Sequence, residues 1–147
     1  MKKVSLLISL LIFSFSTSLF AAGVKHIDNE ELKKLIEQGA PVIDVRATSE
    51  WEKTGVIEDS HLLMFYDEDG KYELDTWLSD VAEISNKEEP VILICHSGVR
   101  SKQLAKYLNK VAGYNQVYNV KRGIVGWIKK DNPVVAPIED KQEVIEE

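Results

Sequence analysis

"PVILICHSGVRSKQLAKYL", Pro90 to Leu108, contains the transition on which the fold turns. Val91 to Ile94 is an unbroken apolar run, the pattern of a central strand covered on both faces. A short polar loop containing Gly98 interrupts it. From Arg100 onward Leu104, Tyr107, Leu108 and Val111 share one helical face, with Lys102, Lys106 and Lys110 on another. In a parallel α/β sheet, ligands bind beyond the carboxyl ends of the strands, where loops lead into helix N-termini. Cys95, the only cysteine of the chain, stands at such an end.

Working outward, the same alternation recurs. Asp28 followed by Glu31 is a capping-box pattern, and Leu32, Leu35 and Ile36 follow at helical spacing. Gly39 and Pro41 end that helix, and "PVIDVR" is a short strand of β-branched residues. Thr48 or Ser49 is expected to cap a brief helix through Trp51 and Lys53, ended by Gly55. "SHLLMF", residues 60–65, reads as the next strand and "DEDGKY" as a turn centred on Gly70. Leu74, Trp77, Leu78, Val81 and Ile84 mark an amphipathic helix. After the 90–108 stretch, Gly113 closes its helix, "QVYNV" is a strand, and "IVGWIKK" a closing helix. This order predicts an α/β layered domain with a mainly parallel sheet. Trp51, Trp77 and Trp127 lie on apolar helical faces and are assigned to the core.

The 147 residues suffice for one domain with a real core. A net charge of −6 argues against nucleic acid as a partner. The N-terminus is different in kind: Lys2 and Lys3 precede "VSLLISLLIFSFSTSLF" and then Ala21, Ala22 and Gly23, the layout of a secretory signal peptide. Residues 1–21 are therefore expected to be removed on export to the periplasm, leaving no stable membrane span and taking the net charge to −8. The serine- and threonine-containing second half is too polar for a good anchor. Residues 134–147 form an acidic tail, expected to be solvated and partly disordered.

Export sharpens the question of Cys95, because exported proteins usually carry cysteines in pairs. Its location favours use over burial as a small apolar residue. The first-turn N–H groups of a helix lack intrahelical acceptors, and the helix dipole adds partial positive charge. Both favour a thiolate at position 95. Gly98 lets the loop curl so that the N–H groups of His96, Ser97, Gly98, Val99, Arg100 and Ser101 can line one concavity. Arg100 offers a planar cationic fork to an oxyanion, and Ser97 and Ser101 offer hydroxyls. This reading expects the sulfur on the solvent side of the loop, away from the interior.

"CHSGVRS" with "VIDVR" upstream and "GIVGW" downstream resembles the single-domain rhodaneses, a sulfurtransferase family. The resemblance spans residues 26–133, with Val56 and Glu58 departing from the usual pattern of the "GVIEDS" stretch. It implies a five-stranded parallel sheet with helices on both faces. It also implies that Cys95 holds a sulfane sulfur as a persulfide, taken from thiosulfate or a persulfide donor. The acceptor would be a thiol, cyanide or a periplasmic sulfur-accepting protein. Related phosphatases carry a longer loop between Cys and Arg, so the four residues between Cys95 and Arg100 suit sulfur better than phosphate. A Cys-dependent phosphatase and a sulfur carrier with little turnover of its own are the alternatives.

Asp44 and Arg46 match the family's Asp-x-Arg pair and are expected to act as an ion pair or loop brace. His96 is read as tuning access and charge at the loop. No cofactor is expected, and one cysteine with His26 and His61 far apart gives no metal motif.

Overall fold

The computed structural model describes residues 23–138, so the leader and residues 139–147 of the tail lie outside them. Five strands, β1 (Lys25–Ile27), β2 (Val42–Asp44), β3 (His61–Leu62), β4 (Pro90–Ile94) and β5 (Gln116–Val120), form one sheet. Their order is β1-β5-β4-β2-β3 and every pairing is parallel. Five helices connect or follow them: α1 (Asn29–Glu37), α2 (Thr48–Thr54), α3 (Leu74–Ile84), α4 (Val99–Lys110) and α5 (Gly123–Ile128). The expected α/β architecture with a five-stranded parallel sheet is present.

The sheet is buried on both sides because side chains alternate along each strand. Ile43, Val91, Leu93 and Val117 point to one face and meet Trp77, Val81, Leu104, Ala105 and Leu108 of α3 and α4. Val42, Ile92, Ile94, Tyr118 and Val120 point to the other and meet Leu32, Leu35, Ile124 and Trp127 of α1 and α5. Each fully buried aliphatic side chain contributes roughly 1.5–3 kcal/mol, so these two layers dominate folding.

Four details correct the sequence reading. The strand expected over 60–65 pairs regularly only at His61 and Leu62, although Leu63 and Phe65 still donate N–H bonds to Asp44 and Val45 at 3.1 and 3.3 Å. The cap of α2 is Ala47, not Thr48 or Ser49. Glu50 supplies the acceptor by reaching back to the Ala47 N–H at 3.1 Å, while Ser49 bonds Glu68 instead. Val111 is 66% exposed rather than on the apolar face, because α4 ends there and the chain turns toward Gly113. Finally, β1 carries no strand pattern in the sequence, since three residues give no periodicity to read.

Asp28 caps α1 as expected, accepting the Glu31 N–H at 3.1 Å. Residues at the start of the acidic tail attach to the body: Val135 and Val56 exchange two backbone hydrogen bonds, each of 2.9 Å.

Candidate active site

Strand alternation decides where the sulfur goes. Val91 and Leu93 face α3 and α4, and Cys95 follows them to that side, beneath the first turn of α4. There its Sγ accepts the Gly98 N–H at 3.1 Å and lies 3.2 Å from the Ser101 hydroxyl. Gly98 makes this possible. It sits at the N-cap of α4 with φ +90°, and a Cβ there would run into the backbone carbonyls of Val120 and Lys121.

A second helix orients the loop from behind. The N–H groups of Ile124 and Val125, in the first turn of α5, donate to the carbonyls of Cys95 and His96 at 2.9 and 3.2 Å. Gly123 allows this approach, because a Cβ would strike those same two residues. The Cys95 and His96 carbonyls are thereby taken up by α5. The sulfur is left with the Gly98 amide, the Ser101 hydroxyl and the first turn of α4 as its polar surroundings.

One expectation is overturned. Cys95 is 1% exposed, so its sulfur does not lie on the solvent side of the loop. The inward turn follows from the period of β4, and α4 closes over it. In the loop above it, the His96 and Ser97 side chains are exposed. Val99 is likewise exposed, at 63%.

Arg100 is also engaged differently than expected. Its two terminal nitrogens donate to both oxygens of Glu50, at 2.6 and 2.8 Å, so a protein carboxylate occupies the fork. Arg100 lowers the pKa of Glu50, against the opposing effect of partial burial, with the Ala47 N–H adding to the lowering. Glu50 in turn raises the pKa of Arg100. His96 Nδ1 lies 3.9 Å from the same carboxylate. Glu50 thus ties α2, the Cys loop and α4 together. Nothing in "TSEWEKT" marks it, since its partner is fifty positions away.

Asp44 and Arg46 are both fully buried and form a bidentate pair, with Arg46 Nη2 2.7 Å from Asp44 Oδ2. Arg46 also donates to the Glu50 and Gly55 carbonyls and to Thr54 Oγ1, holding the end of α2. These contacts stop short of the sulfur. Asn119, absent from the sequence reading, is 2% exposed and accepts the Ser101 hydroxyl at 2.6 Å. Cavities of about 630 and 570 Å³ lie away from the Cys loop, one beside β3 and one between α1 and α5.

Comparison with known proteins gives a consistent picture. A family model described as a rhodanese-like domain matches residues 28–130. Rhodanese-like domain-containing protein 17 of Arabidopsis thaliana is 30% identical, over 81% of this chain and 78% of that protein. A sulfurtransferase of Allochromatium vinosum is 30% identical, over 78% of this chain and 97% of its own length. Among solved structures, a rhodanese-related protein from Thermoplasma volcanium superposes with a TM-score of 0.57 at 26% identity, covering 77% of this chain and 99% of that one.

Proposed function

Starting from the chain's membership of the rhodanese-like domain family, we propose that it is a sulfurtransferase in which Cys95 carries the transferred sulfur. The observation that carries this reading is the convergence of the Gly98 N–H and the Ser101 hydroxyl on the only thiol of the chain. Donors so arranged stabilise negative charge on sulfur at the moment it develops.

The reaction is a double displacement. The Cys95 thiolate attacks the outer sulfur of thiosulfate or of a persulfide. A new S–S bond forms, and sulfite or a thiolate leaves with the electron pair of the broken bond. The terminal sulfur, now anionic, sits where the Gly98 amide and the α4 dipole favour it. A thiol or cyanide then attacks that sulfur and Cys95 departs as thiolate. Arg100 is the nearby cation for an incoming anionic donor, which competes with Glu50 for it. The 1% exposure of Cys95 favours small donors that slip under the loop. It also favours a second reading, a sulfur carrier whose partner protein opens the loop. Residues 1–21 are proposed to direct export to the periplasm, and N-terminal sequencing of protein recovered there tests it.

Mass spectrometry after incubation with thiosulfate should find an adduct of about 32 Da, one sulfur, on Cys95. Cys95→Ser should show neither the adduct nor thiosulfate-to-cyanide transfer above background. A Cys95→Ser protein with undiminished transfer would end this reading. Turnover with small acceptors, measured next, separates the enzyme from the carrier.

A further inference from the structure

The Ser101 hydroxyl has one proton and two neighbours that want it: Cys95 Sγ at 3.2 Å and Asn119 Oδ1 at 2.6 Å. Beyond Asn119 the chain of contacts continues, since Asn119 Nδ2 lies 3.2 Å from His26 Nδ1. His26 and Asn119 are register partners on β1 and β5, so their side chains stand next to each other on one face. Ser101 and Asn119 are 0% and 2% exposed, whereas His26 reaches solvent. A buried polar line therefore joins the sulfur to an exposed imidazole.

We propose that Ser101, Asn119 and His26 form a reversible hydrogen-bond relay whose direction is set by the charge on the Cys95 sulfur. The proposal rests on the reading of Cys95 as the sulfur-carrying thiol. While the sulfur carries its proton, the S–H donates to Ser101, Ser101 donates to Asn119 Oδ1, and Asn119 Nδ2 donates to a bare His26 Nδ1. Every polar atom is satisfied and every donor points outward. Once the sulfur is an anion, as thiolate or persulfide, it has no proton to give and accepts from Ser101 instead. Asn119 Oδ1 has then lost its donor. Turning the amide by half a revolution restores the line within the same outline: Asn119 Nδ2 donates to Ser101, and Asn119 Oδ1 accepts from His26 Nδ1–H. All donors now point at the sulfur. No proton crosses the amide; the proton on the imidazole moves from Nε2 to Nδ1 by exchange with solvent, or is gained from it.

Asn119 and His26 are positioning residues here, acting on the sulfur through Ser101. The charged groups around the imidazole are Lys102 and Lys106 from α4 and Lys121 after β5, whereas Lys25, its neighbour in β1, lies over the Tyr118 ring on the other face. Burial first, and then Lys102, Lys106 and Lys121, hold the His26 pKa below its ordinary value. This favours the uncharged ring, which the outward direction of the line requires. Linkage is reciprocal: an anionic sulfur must strengthen proton binding at His26, and a protonated His26 must favour the anion.

Nitrogen NMR of the histidine rings tests the relay, with His26→Gln identifying the His26 signals. At a pH where thiolate absorbance shows the Cys95 sulfur to be protonated, the sulfur-free protein should carry its ring proton on Nε2, with Nδ1 bare. Loading with thiosulfate should place a proton on Nδ1 and raise the proton affinity of His26 roughly fivefold, the lower end of ordinary coupling between sites. Ser101→Ala cuts the line without changing any charge, so the move between ring nitrogens should vanish while a plain electrostatic shift survives. Cys95→Ser should show no change under either condition. The same ring nitrogen protonated before and after loading, or an unaltered switch in Ser101→Ala, overturns the relay. Should thiosulfate add no sulfur, the functional reading fails by itself. The relay is then tested by ionising the thiol with alkali, followed by thiolate absorbance, which only Cys95 can give. A ring that ignores that ionisation overturns it equally.

Discussion

Two arginine–carboxylate pairs flank α2, and they are built in opposite ways. Arg46 and Asp44 are wholly removed from water, and Arg46 donates to Asp44, to Thr54 and to two backbone carbonyls at once. Arg100 and Glu50 keep 32% and 28% of their side chains exposed, and each stands within reach of the Cys loop. The first pair is fully engaged and cannot release a partner without leaving a buried charge alone. The second sits in screening solvent and can exchange its carboxylate for another anion at little cost. Position relative to water, and not residue type, separates a brace from a latch.

Breaking the brace should have the largest effect. Asp44→Asn keeps the shape but strands a buried guanidinium, and should lower stability by about 3–5 kcal/mol in urea unfolding. A loss under about 1 kcal/mol would erase the contrast. Arg100→Lys keeps charge and loses the fork. It should leave stability within about 1 kcal/mol while lowering kcat/KM for thiosulfate about tenfold, the loss of one charge-assisted bidentate contact. Glu50→Gln still accepts the Ala47 N–H but frees Arg100, so transfer from anionic donors should quicken about threefold, the rate equivalent of an exposed ion pair. A slower variant would mean that Glu50 positions Arg100 and does not compete for it.

Acid offers the smallest test. The folded-state pKa of Glu50 lies below its unfolded value, so the pair's contribution is present above the ordinary carboxylate range. That contribution is lost as pH falls through the lowered value. It should amount to a few tenths of a kcal/mol after solvent screening, and Glu50→Gln should flatten that part of the stability–pH curve.

Much of this architecture was legible from period and punctuation. Val91 to Ile94 announced a doubly covered strand, and Gly98 announced the turn over the sulfur, because both signals are local. The face on which Cys95 lies was implicit in the same strand, since alternation from Leu93 puts position 95 on the side of α3 and α4, but its burial depends on α4 packing over it. Glu50 and Asn119 left no local trace. Glu50 sits in a charged helical segment and Asn119 in an apolar strand, and their partners are brought to them only by chain crossover. β1 was too short to have a pattern, yet it is the strand that carries His26 to Asn119.

The anchoring of the loop by its own carbonyls has a consequence for how this site can diversify. Cys95 and His96 are pinned through main-chain oxygens to α5, and Gly98 is confined by the carbonyls of Val120 and Lys121. None of these attachments involves the side chains at 96, 97 or 99, which all face outward. Positions 97 and 99 can thus be replaced without loosening these attachments, and position 96 at the cost of its approach to Glu50 alone, while the amide beneath them stays in register with the sulfur. Descendants of this chain could acquire new surface chemistry there, with the Cys95 sulfur and its immediate surroundings left untouched.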